Sequence, residues 1–178
     1  MATIFSHAVA AVAIGKACTP NKMAWRFWAL TVLCSILPDI DVIGFAFGIR
    51  YGDLFGHRGI THSLFFALLL GCAVVLLFFK EGAQSISKSG LIAYFALVTA
   101  SHPLLDAMTN GGLGVAFFAP FDATRYFLPW RPIEVSPIGM DFFSPRGMEV
   151  LMSEIVWIWL PSLALILAVW LYRHLAQR

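Results

Sequence analysis

The stretch HRGITHS, residues 57–63, sets two histidines, an arginine, a threonine and a serine just before a long apolar run. Imidazole nitrogen and carboxylate oxygen together form the donor set of zinc and similar divalent ions. The rest of the chain supplies partners: His7, Asp39 and Asp41 in LPDID, His102 and Asp106 in SHPLLDAMTN, and Glu154. His102 and Asp106 are four residues apart, so one helix face carries both. Asp39 and Asp41 are two apart in a turn after Pro38. One can bind an ion while the other orients a histidine or bridges two ions. His57 and His62 are five apart and need a bend to converge, for which Gly59 is the candidate. Taken singly, each residue has an ordinary role. A lone histidine is a hydrogen-bonding side chain, Thr61 and Ser63 are caps for the following helix, and Arg58 is an interfacial cation on an apolar stem.

The elements that must position these residues are hydrophobic. The chain has 178 residues, of which 60% are hydrophobic and only 12% charged. With a mean hydropathy of +0.80, this is a membrane composition; soluble domains carry about 25% charged residues. Five apolar segments stand out, at about Thr3–Cys18, Met23–Leu37, His62–Phe79, Leu91–Leu105 and Glu154–Tyr172. Their runs are continuous rather than alternating, which predicts an all-α, polytopic helical bundle and not a barrel. A full span takes ~20 residues, a length the third and fifth segments meet comfortably; the other three are short. The whole chain reads as one integral membrane domain. Its Thr109–Ser153 stretch is rich in proline and aromatics and is expected to fold over the helix ends as a lid. Cys18, Cys34 and Cys72 stand apart and read as buried small hydrophobes. The N-terminus places His7 before Lys16, the reverse of a secretory leader's charge order. A net charge of +2 without any Lys/Arg cluster argues against nucleic acid.

Five spans would put the termini on opposite sides. The side of the 16–26 and 80–90 turns and the C-terminus holds Lys16, Lys22, Arg26, Lys80, Lys88, Arg173 and Arg178 in short loops, and is the expected cytoplasmic side. Trp25 and Trp28 at that interface, and Trp157 and Trp159 at the other, fit an aromatic belt. His7, Asp39, Asp41, His57, His62, His102, Asp106 and Glu154 then all fall at the opposite, extracytoplasmic face. Ionisable groups at membrane depth are costly and are usually functional. Their convergence predicts a metal site at one membrane face, with His7, Asp39, His57, His62, His102, Asp106 and Glu154 as ligands. Asp41 is the candidate base or orienting group, and Arg58 and Arg131 are candidate anion contacts.

The pieces SHAVA, LPDID, HRGITHS, SHPLLDAMTN and PFDATRYFLPWRPIEVSP also carry a resemblance. Over nearly its whole length the chain resembles the membrane-bound metal-dependent hydrolase family, which includes a LexA-regulated inner-membrane protein of bacteria. More distantly, the order His7, Asp39, His57 or His62, then His102 with Asp106 is similar to the zinc-dependent phospholipases C, although the later HxxxE pair of those enzymes is missing. The resemblance implies one to three divalent ions, zinc first. It also implies hydrolysis of a phosphoester on a lipid-like or phosphorylated substrate at the bilayer, from a bacterial inner membrane. Phe117, Phe118, Phe121 and Trp130 are candidates to receive an acyl chain. The alternative is a non-catalytic metal-binding sensor or assembly protein. A transporter fits less well, because the acids cluster at one face rather than across the midplane. The topology has a direct check: a cysteine introduced in the 42–56 loop should react with a membrane-impermeant thiol reagent added from outside. Labelling from the cytoplasm alone would overturn the assignment.

Overall fold

The computed structural model describes residues 1–19, 22–79 and 86–177. Regular structure among them is helical, apart from two isolated bridges, Thr109 to Ile133 and Val115 to Tyr126. The α-helices are α1 (Ile4–Cys18), α2 (Trp25–Ile36), α3 (Leu64–Phe78), α4 (Lys88–Ala107), α5 (Pro145–Glu154) and α6 (Leu160–Leu175). Three begin at hydroxyl caps: the side chains of Thr3, Ser63 and Ser87 accept from Ser6, Phe66 and Gly90 N–H.

Two segments differ from expectation in a way that matters for the site. LPDID does not end the second rod. Pro38 sits in the first turn of a 3₁₀-helix, Leu37–Phe47, where its missing N–H costs nothing. That helix carries the rod on to Gly48 in the left-handed conformation, φ 78°. Asp39 and Asp41 therefore lie on a helix, not in a turn. The last rod is also longer than expected: α5, a π-turn over Ile155–Trp159 and α6 run without a break from Pro145 to Leu175. The end of the expected lid is thus helical, and Glu154 lies in mid-rod instead of opening a helix.

Among the described residues, three rods are long and apolar enough to cross a membrane: Trp25–Phe47, Lys88–Ala107 and Pro145–Leu175, with 23, 20 and 31 residues. The third expected segment falls short, because Ser63 caps α3 after His62 and leaves a 15-residue helix. The fourth grows, because Ser87 starts α4 at Lys88. Much of α6 is apolar and exposed, as at Leu163, Leu167, Trp170 and Leu171, the surface expected of a helix facing lipid. Trp25 is exposed in the same manner, and Trp159 is half-buried, with its indole Nε1–H donating to Ser6 Oγ at 2.7 Å. Lys80 and Arg178 of the orientation count lie outside the described residues.

Helices α1 to α4 share a core built on Phe27, Val75, Tyr94, Phe95 and Val98. A hydrogen bond of 2.8 Å between Thr31 Oγ1 and Tyr94 Oη ties α2 to α4 inside it, the kind of polar contact that holds helices together in lipid. Of the cysteines only Cys34 is buried; Cys18 is exposed at the end of α1 and Cys72 is intermediate, and all three are free thiols. The 109–144 segment lies over the helix ends, held by main-chain bonds from Leu128 N–H to Ala107 O and from Ser136 N–H to Met1 O. Its Val115, Ala116, Ala119 and Ile133 are buried.

Helices α3 and α4 meet at Gly71. A Cβ there would lie 2.9 Å from Ala96 N and from Ile92 O, both main-chain atoms that cannot swing away. Gly71→Val should separate the two helices at a cost of about 1–3 kcal/mol, read as a lower midpoint of thermal unfolding in detergent. An unchanged midpoint would show that the contact is not tight.

Candidate metal site

One end of the bundle gathers the polar residues. The N-terminal turns of α1 bring His7, the 3₁₀ continuation of α2 brings Asp39 and Asp41, and HRGITHS leading into α3 brings His57, Arg58 and His62. The last turns of α4 bring His102 and Asp106. All of these side chains are buried, His7, Arg58, His62, His102 and Asp106 completely.

Four of them converge on one point. Asp39, His62, His102 and Asp106 each offer a ligand atom, and these atoms all lie within 4.8 Å of one another. His62 Nε2 and His102 Nε2 are 3.1 Å apart. Asp39 Oδ1 is 3.3 Å from His102 Nε2 and 3.5 Å from His62 Nε2. Asp106 Oδ2 is 3.6 Å from His62 Nε2. A tetrahedral zinc with bonds of about 2.0–2.1 Å has ligand–ligand edges of roughly 3.3–3.4 Å, and these four distances fall within about 0.3 Å of that range. The i, i+4 expectation for His102 and Asp106 holds.

The outer hydrogen bonds fix which nitrogens face inward. His102 Nδ1 is 2.7 Å from the carbonyl oxygen of Ser35. A carbonyl only accepts, so the neutral ring keeps its hydrogen on Nδ1 and leaves a lone pair on Nε2. His62 Nδ1 lies 3.1 Å from Asp41 Oδ2 and is fixed in the same sense. Two lone pairs 3.1 Å apart repel unless a proton or a cation lies between them. Burial disfavours a charged His62, but the neighbouring carboxylates of Asp39 and Asp41 prevail and raise its pKa to about 9. Surroundings that hold a proton so firmly favour a cation in its place. The carboxylates of Asp39, Asp41 and Asp106 outnumber Arg58, the one buried Arg or Lys side chain among the described residues, by three to one. Both carboxylate oxygens of Asp39 and both nitrogens of His7 lack any hydrogen-bond partner, as does His57 Nε2. Buried polar atoms of this kind call for an ion or water.

Asp41 is an orienting group. Its Oδ1 takes His57 Nδ1–H at 2.8 Å, and its Oδ2 takes Thr61 Oγ1–H at 2.7 Å and Arg58 N–H at 3.1 Å. With His57 and His62 it forms a second group of possible ligands. Thr61 is therefore not a cap, whereas Ser63 is. The bend in HRGITHS falls at Arg58, which takes the left-handed φ of 61°, a position costing a non-glycine residue about 1–3 kcal/mol. Gly59 is required for space instead, since a Cβ there would lie 2.2 Å from Leu54 O.

Several expected roles change. The Arg58 side chain neither reaches the interface nor stands free for an anion. Nε donates to Asp106 Oδ2, NH2 to Thr109 Oγ1 and NH1 to Gly111 O, each at 3.0 Å. Arg131 is exposed and lies 4.7 Å over the Phe127 ring. Glu154 is buried but binds α1 rather than the ligand groups: its carboxylate accepts from Thr3 N–H, Thr3 Oγ1 and Ser6 Oγ. A carboxylate is favourable at a helix N-terminus. In a π-turn, residues five apart stack, and this lets Glu154 and Trp159 both reach Ser6. His7 lies outside both ligand groups. It stacks on His102 with 3.6 Å between ring centroids and has Nε2 at 3.5 Å from Asp106 Oδ1. The Ser35 carbonyl, Thr61 and Thr109 were not foreseen. Thr109, three residues after Asp106, was the one with a spacing signal; a main-chain carbonyl leaves none.

These features define a helical membrane protein with a buried His/Asp cluster at one end, and comparison with known proteins agrees that it is a membrane protein. Residues 1–176 match the model of the YdjM inner membrane protein family, and the chain belongs to that family. It is 36% identical over 178 residues, 98% of this chain and all of the relative, to the inner membrane protein YbcI of Escherichia coli strain K12. No solved structure matches. Neither description specifies a reaction. The Arg58–Asp106 pair has its own test: Arg58→Met leaves a buried carboxylate without its partner and should cost about 3–5 kcal/mol, seen as a large drop in thermal midpoint. A drop no greater than that of an exposed-site control such as Arg131→Ala would show that the pair is not structural.

Proposed function

We propose that the chain is a membrane-embedded, metal-dependent hydrolase acting on a phosphoester of a lipid-like substrate at the extracytoplasmic face. One observation carries the metal: the inward-facing Nε2 atoms of His62 and His102, 3.1 Å apart, with Asp39 and Asp106 beside them. His62, His102, Asp39 and Asp106 would hold the ion, and their mixed imidazole and carboxylate donors suit zinc. Bound there, such an ion would supply a water of lowered pKa and a Lewis acid for a phosphoryl oxygen. His57 takes the general-base role, because Asp41 holds its Nδ1–H while Nε2 carries an unused lone pair. Asp41 acts as positioning residue for both His57 and His62. Arg58 fixes Asp106 and tempers the negative charge. The apolar helices favour a substrate delivered by the bilayer, and the Lys/Arg density of the short loops favours an outward-facing site.

A second reading, a closed metal site that senses or stabilises, draws on the same geometry: four protein ligands complete a tetrahedron, as structural zinc sites do. An exchangeable water on the bound ion separates the two. His62→Ala and His102→Ala should each abolish stoichiometric zinc binding and phosphoesterase activity across a panel of phospholipid and phosphomonoester substrates. Asp41→Asn should weaken the ion about 10–100-fold. Full metal content in either alanine variant would sink the ligand assignment. Full metal without turnover or exchangeable water in the unaltered protein would favour the closed site.

A further inference from the structure

Beside the metal cluster lies an apolar groove of about 410 Å³. Leu64, Phe65 and Leu68 of α3 form one wall, and Phe117, Phe118 and Phe121 of the overlying segment form the other. The walls are fastened together: Leu64 N–H donates to Phe117 O at 3.0 Å, and the Phe65 and Phe121 rings meet edge to face at 5.4 Å. The groove is also fastened to the site. Leu64 is two residues from His62, and Ala116 N–H donates to Arg58 O at 3.0 Å.

Its setting decides what fills it. Leu68, Leu69, Leu76 and Leu77 of α3 are exposed, half or more of each side chain, and an apolar surface of that kind belongs in hydrocarbon. Leu64, Phe65 and Leu68, its α3 wall, are themselves exposed. The groove offers no polar side chain to a peptide or a sugar, and its size falls in the usual range for small-molecule sites. We propose that it is an acyl-chain subsite, which takes a lipid tail laterally from the bilayer and sets the headgroup end beside His62 and Arg58. Only the fate of the headgroup rests on the hydrolase reading; occupation by a lipid tail does not.

The test uses the full chain in phosphatidylethanolamine and phosphatidylglycerol vesicles, with phosphatidic acid bearing a diazirine on its palmitoyl chain as the probe. Irradiation should label the peptides holding residues 64–68 and 117–121 several-fold more than the lipid-facing peptide of α6. Leu68→Trp, which fills the groove, should reduce that labelling several-fold and leave α6 labelling unchanged. Phe121→Ala removes a wall at a side chain 81% exposed, so it disturbs folding least and should also reduce labelling. His62→Ala should keep the labelling while losing the ion, which separates this subsite from the metal chemistry. Equal labelling of α3 and α6 would mean ordinary boundary lipid and overturn the proposal. So would insensitivity to both groove variants, or a disulfide between copies formed through Phe121→Cys, which would make a second chain the occupant.

Discussion

Three buried aspartates facing the buried guanidinium of Arg58 are the constraint around which this end of the molecule is arranged. Unpaired charge is costly in a dry interior, and more so in a chain surrounded by lipid. The fold meets the cost by spending donors on these carboxylates. Asp41 is satisfied by two imidazoles, a hydroxyl and a main-chain N–H, and Asp106 by Arg58 Nε and Ala2 N–H. Asp39 receives no hydrogen bond and faces two imidazole nitrogens. The residual negative potential is thereby concentrated at one point, where a cation has four ligand atoms within reach.

The surrounding architecture keeps that point in place. Arg58 adopts a left-handed backbone so that its main-chain N–H can bond Asp41 while its guanidinium reaches Asp106, joining α2's extension to α4 through one residue. Glu154 holds the first turn of α1, and with it His7, against the last rod. Arg125 bonds the carbonyl oxygens of His57 and Tyr51, so the loop carrying HRGITHS is held from the overlying segment as well. A strained bend of this kind persists only when its neighbours over-determine it, and here they do.

What the sequence could show of the site was set by spacing within single elements. His102 and Asp106 share a helix face by their four-residue interval, and they do converge. The gathering of His7, Asp39, His57, His62, His102 and Asp106 at one end followed from the order of apolar segments. The same reasoning put Glu154 among the ligands because proximity to a helix end was its only guide, whereas its carboxylate has closer partners at the cap of α1. Gly59 stood out as the bend because glycine is the usual left-handed residue. The strain passed to Arg58 because two carboxylates reward it, and Gly59 serves the close approach of Leu54 instead.

The sequence by itself determined the medium and the chemistry available: continuous apolar runs require helices in lipid, and imidazoles with carboxylates at one end offer a divalent-ion donor set. Only the tertiary structure decided which atoms face each other. That choice depends on contacts far apart in the chain: a Ser35 carbonyl fixing His102, Asp41 fixing two histidines, and Arg58 orienting Asp106. Hydrogen-bond direction is set by geometry across elements, and residue type and local spacing carry no record of it.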